Sequence, residues 1–121
     1  MILLTALPAA AAPDCLQRTQ TSDFEPLLGG RSVIVTDYAQ RKFKVSFPGP
    51  CRALEDAPRL GFQTMEQSRL ACVERGDYLV SLRDADIGNG ARSCGVQQVI
   101  PYTKDMEQAD AVAKAMDRVA Q

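Results

Sequence analysis

The chain has 121 residues, enough for one domain with a buried core. Its 14 basic and 15 acidic side chains nearly cancel, which gives no electrostatic case for nucleic acid or an anionic membrane, since both require a basic surface. It has no histidine, and so lacks the commonest general base and the commonest metal ligand; no run approaches the roughly 18 apolar residues of a membrane span.

Met1 to Pro13 reads MILLTALPAAAAP. A short apolar run, Ile2 to Leu7, precedes a small-residue stretch in which Ala9 and Ala11 fit the A-x-A cleavage pattern. This predicts a signal peptide over 1–11, with cleavage before Ala12 and a truncated basic start. Cys15 to Pro26 is polar and poorly periodic, with a turn or short strand expected near Leu16 to Thr21 and Phe24 as an anchor. Leu27 to Gly30 reads as a turn. Ser32 to Thr36 is a β-branched run and a predicted strand. Lys42 to Phe47 alternates with the period of a half-buried strand: Phe43, Val45 and Phe47 share one face, Lys42, Lys44 and Ser46 the other. The two strands are expected to form an antiparallel hairpin through Asp37 to Arg41.

Pro48-Gly49-Pro50 ends the second strand, because proline donates no ladder hydrogen bond, and Cys51 follows at once. One helical turn is expected over Arg52 to Ala57. Further strands are predicted at Arg59 to Thr64, Ser68 to Val73, Tyr78 to Leu82 and Cys94 to Ile100. The last of these carries Cys94, Val96, Gln98 and Ile100 on one face. Arg83 to Ser93 reads as a Gly/Asn/Asp loop. Beyond Pro101 the period changes. Met106, Ala109, Val112, Ala113, Met116 and Val119 recur at helical spacing, with Thr103 or Asp105 as N-cap and Gln108 completing a capping box with Asp105. Asp110 stands four residues before Lys114, the favourable ion-pair order.

The expected fold is mainly β, of the α+β kind: a small bent antiparallel sheet or partly open barrel of five or six strands, with a C-terminal amphipathic helix. Residues 12–103 form the β domain and 104–121 the helix. The four cysteines, Cys15, Cys51, Cys72 and Cys94, contain no Cys-x-x-Cys pair, which argues against zinc. Their even number and wide spacing predict two structural disulfides in an oxidising compartment, periplasmic or secreted. Of three possible pairings the nested one leads, Cys15–Cys94 with Cys51–Cys72. It ties the N-terminal segment to the last strand, and the turn and strand between Cys51 and Cys72 can fold back. Sequential and crossed pairings stay open.

Several short motifs occur together. Cys15 precedes a Val/Ile strand ending in Asp37; a basic-aromatic strand then leads to Pro50-Cys51-Arg52-Ala53-Leu54 and Arg59-Leu60-Gly61-Phe62; Cys72 precedes Gly76-Asp77, and Cys94-Gly95-Val96 leads to Ile100. In these the chain resembles a family of small exported proteins of unknown function found in Gram-negative bacteria. The resemblance spans Cys15 to Ile100 and leaves out the C-terminal helix. It implies export and a disulfide-linked β domain, and it implies no activity.

Motifs that would carry chemistry fail on inspection. Asp84 to Gly90 looks like a calcium loop, but counted from Asp84 it has Gly at position 5, Asn at 6 and Gly at 12, where the EF-hand wants an oxygen ligand, Gly and Glu. Glu55-Asp56 and Glu74/Asp77 are carboxylate pairs close in sequence, which is no sign of an acid and a base facing across a cleft. No nucleophile elbow and no phosphate-cradling loop is present. Lys42 and Lys44 lie on the strand face opposite Phe43, so they read as a solvated face rather than a nucleic-acid platform. The expectation is therefore a non-catalytic binding or envelope protein, with no catalytic residue, cofactor or metal, whose partner is an unknown protein or a cell-envelope component. The alternative is a small periplasmic hydrolase or isomerase with a carboxylate site. A concave pocket with facing carboxylates would favour that alternative, and an exposed apolar patch without a polar cleft the binding protein.

Overall fold

The alternating stretch from Lys42 and the β-branched run before it pair as expected. Strands β2 (Ser32–Asp37) and β3 (Lys42–Ser46) form an antiparallel hairpin with Val33 opposite Val45 and Val35 opposite Phe43. The turn is held by Asp37, only 1 % exposed. Its carboxylate accepts the Arg41 backbone N–H at 2.8 Å and the Arg41 Nε–H at 2.9 Å, while Gln40 takes a φ of 67°. The computed structural model describes residues 15–68, 70–82 and 93–119. The expected signal peptide at 1–11 and the Asp84 to Gly90 loop lie outside them.

Strand β1 (Thr21–Pro26) adds to β2, so the segment expected to hold at most a short strand near Leu16 to Thr21 is instead paired further on. Strands β4 (Leu60–Gln63) and β5 (Tyr78–Ser81) form a second antiparallel pair. The predicted single strand from Cys94 to Ile100 is two strands. β6 (Ser93–Gly95) pairs with β5, and β7 (Gln98–Pro101) pairs with β3. Among the described residues the seven strands thus form two sheets, β1-β2-β3-β7 and β4-β5-β6, with no closed barrel. The expectation of one bent sheet or partly open barrel is corrected to that extent. The break at Val96-Gln97 shifts the alternation by one residue. Val96 remains buried, Gln98 is exposed, and Val99 rather than Ile100 packs against the core.

The inner faces meet in one core. Phe24 of β1 approaches Phe62 of β4 with ring centroids 5.8 Å apart. Val33, Val45 and Leu79 are fully buried between the sheets. A 3-10 turn over Arg52–Asp56 supplies Ala53 and Leu54 to the same core, where one helical turn was expected.

Among the described residues, the stretch from Ser68 to Val73 forms no strand. It makes an isolated bridge, Gln17 with Cys72, flanked by hydrogen bonds from Val73 N–H to the Leu16 carbonyl (2.7 Å) and from Arg18 N–H to the Ala71 carbonyl (3.2 Å). This pairing lays the N-terminal segment beside Cys72, and the disulfides follow from it. Cys15 bonds Cys72 and Cys51 bonds Cys94, with Cα separations of 5.6 and 5.8 Å. The pairing is crossed, not nested. The Arg52–Asp56 turn packs against β5 and β6, which carries Cys51 to Cys94 rather than back to Cys72.

Helix α1 (Lys104–Val119) begins as expected at Thr103, whose Oγ1 accepts the Met106 N–H at 3.2 Å. The capping box from Asp105 to Gln108 does not apply, because Met106 holds the third helical position. No residue of α1 is buried.

The crossed bridges close loops of 57 and 43 residues, each worth about 4 kcal/mol in the chain-entropy model. Non-reducing peptide mapping should yield Cys15–Cys72 and Cys51–Cys94 peptides. Cys51→Ser and Cys94→Ser should destabilise equally in denaturant unfolding, and the double variant should cost little more than either.

Deleting Asp105 to Gln121 should leave a cooperatively unfolding β domain. The expected loss is about 1 to 2 kcal/mol, from the Lys42–Glu107 ion pair and the Tyr102–Asp110 hydrogen bond that the helix supplies. Non-cooperative melting of the truncated chain would place α1 in the core.

Candidate functional site

The outer face of the first sheet mixes charged and apolar side chains. One cross-strand row runs Glu25, Ile34, Lys44, Ile100. Helix α1 stands over this face, and between them lies a cleft of about 720 Å³. The sheet contributes Glu25, Ile34 and Lys44, and the helix contributes Asp110, Ala111 and Lys114. Ile34 is only 3 % exposed at its base.

The helix meets the sheet with its polar side. Glu107 receives Lys42 Nζ at 3.4 Å. Asp110 Oδ2 accepts the Tyr102 hydroxyl at 2.6 Å. The predicted Asp110–Lys114 ion pair is absent among the described residues; the carboxylate serves Tyr102 instead. The Tyr102 phenol is pushed well above its usual acidity range, first by burial, then by the hydrogen bond and charge of Asp110, and further by Glu107 and Glu25. Three carboxylates therefore influence one phenol at the wall of the cleft. Lys44, Lys114 and Glu25 also line it, and among the described residues none of the three makes a hydrogen bond or an ion pair. The apolar stripe of α1 is left open to solvent, with Val112, Met116 and Val119 at 58, 67 and 86 % exposure.

The other sequence candidates have structural duties. Asp77, 5 % exposed, accepts the backbone N–H groups of Met65 (2.9 Å) and Glu74 (2.7 Å), so it holds a turn, and its neighbour in the motif, Glu74, is exposed. Glu55 and Asp56 lie within the Arg52–Asp56 turn. Cys15 and Cys72 border a smaller hollow of about 400 Å³. Among the described residues no cluster of three His, Cys, Asp or Glu side chains is placed to hold a metal ion, and no helix is long and apolar enough to cross a membrane. Tyr102 and Glu25 escaped the reading of the sequence, and Lys44 was taken as a solvated strand residue. Only the position of α1 turns these three into walls of a cleft.

A family model covers residues 4–119. The chain belongs to DUF6491, a family of unknown function. The DUF6491 match includes the residues of α1, which the resemblance seen in the sequence had left outside. No curated protein and no solved structure matches the chain.

Replacing Tyr102 with Phe removes the hydroxyl and should cost about 1 kcal/mol at pH 7. Since the folded-state pKa is raised, this contribution is complete below the unfolded value of about 10 and is lost as pH rises through the folded value. Urea unfolding of both proteins from pH 7 to 11.5 should show a constant gap up to about pH 10 that narrows above it.

Proposed function

We propose that this DUF6491 chain is a non-catalytic binding domain of the cell envelope, acting in the periplasm or outside the cell, with the cleft between α1 and the first sheet as its binding site. The observation that carries the reading is a cleft with an apolar base whose Lys44, Lys114 and Glu25 have no partner among the described residues. Charged groups held at a concave surface without internal partners are available to a ligand. Two disulfides support an oxidising compartment, in agreement with the signal-like residues 1–11. A small hydrolase or isomerase would need two carboxylates of separated acidity free to act on a substrate. Glu107 and Asp110 are engaged by Lys42 and Tyr102, which favours binding over catalysis.

Two measurements test this. The chain fused to a reporter active only outside the cytoplasm should give signal. Protein recovered from the envelope and analysed by native mass spectrometry should carry a ligand that Lys44→Glu lacks. A fusion that is made but stays in the cytoplasm without reporter activity, or the same ligand on both proteins, would overturn the reading.

A further inference from the structure

The cross-strand row places opposite charges on either side of an apolar residue. Glu25 pairs with Ile34 and Ile34 with Lys44, so the two charged residues are two strand spacings apart, about 10 Å at the backbone. They make no ion pair with one another. Lys114 lines the same cleft from the helix, and Ser32 supplies a hydroxyl. We propose that the cleft receives a short zwitterionic peptide: Glu25 takes its ammonium end, Lys44 and Lys114 take its carboxylate, and its body lies over Ile34.

This rests on the binding-domain reading and narrows it. A single amino acid spans only about 3.5 Å and cannot reach both ends of the row, whereas two extended residues span about 7 Å and three about 10 Å. A purely anionic ligand would leave Glu25 opposed to it, and a purely cationic one would leave both lysines unmatched. Asp110 is held by the Tyr102 hydroxyl and Glu107 by Lys42, which leaves Glu25 as the cleft carboxylate open to an ammonium group. Lys44 and Lys114 are open to the peptide's carboxylate. A charge-assisted hydrogen bond at each terminus gives the recognition its direction.

The probe is alanyl-alanyl-alanine, which spans about 10 Å when extended, titrated into the intact oxidised chain and followed by amide chemical shifts. Shifts should concentrate at Glu25, Ile34, Lys44 and the Asp110 to Lys114 turn. Acetylating the amine or amidating the carboxylate should each weaken binding about tenfold, the worth of one charge-assisted contact. In Glu25→Gln the acetylated and free peptides should bind alike, and in Lys44→Gln the amidated and free peptides should. Equal binding of all three peptides to the unaltered protein would overturn the assignment. So would an absence of shifts at the cleft. If the envelope ligand is still retained in a Lys44-dependent way, only the peptide assignment fails. If no ligand is retained and the peptide does not bind, both readings fail.

Discussion

Two neighbouring amides hold the architecture together. Val96 N–H donates to the Asp77 carbonyl at 2.8 Å, beside the second sheet, and Gln97 N–H donates to the Ser46 carbonyl at 2.8 Å, in the first. The chain therefore crosses from one sheet to the other within a single peptide step. The core depends on this crossing, because β6 and β7 are one continuous stretch that serves both layers. Cys94 lies two residues before it and is bonded to Cys51, so the crossing is covalently fixed on one side. Asp77 fixes the other side: its carboxylate gathers Met65 and Glu74 while its carbonyl receives Val96. A buried carboxylate satisfied by backbone donors is a rigid post, and its removal would take away the partner of the Met65 and Glu74 N–H groups.

Local signals were legible wherever the structure is local. The β2–β3 hairpin, the strands β4 and β5, the turn after Cys51 and the helix with its Thr103 cap all follow from period, β-branching and turn chemistry. The stretch from Cys94 to Ile100 misled because its residues keep a strand period across the crossing. A bend that re-phases the alternation leaves no mark when both neighbours are apolar or amide side chains. The disulfides were unreadable for a related reason. Their pairing depends on where residues 15–18 lie, and those residues pair with 71–73 through backbone groups that carry no sequence signature.

The cleft was less legible than the fold. Lys44 alternates with buried residues and so reads as a solvated position, and it is one until the helix stands over it. Glu25 falls in a segment with little period. Tyr102 sits between a strand and a helix, where neither pattern speaks. What these residues share is a row and a helix face, and both are products of register.

The orientation of α1 is the remaining constraint. An amphipathic helix ordinarily turns its apolar stripe towards a sheet. Here the sheet's outer row presents Glu25 and Lys44, and Lys42 lies on the same face, so the surface that meets the helix is charged. Burying Val112 and Met116 against it would strip water from these charges without giving them partners. Turning Glu107 and Asp110 inward instead supplies partners for Lys42 and for the Tyr102 hydroxyl. The helix is thus attached by polar contacts, each modest and weakened by salt, and not by apolar area. The same choice that leaves its stripe in solvent also keeps the space beneath it polar at the walls and apolar at the base.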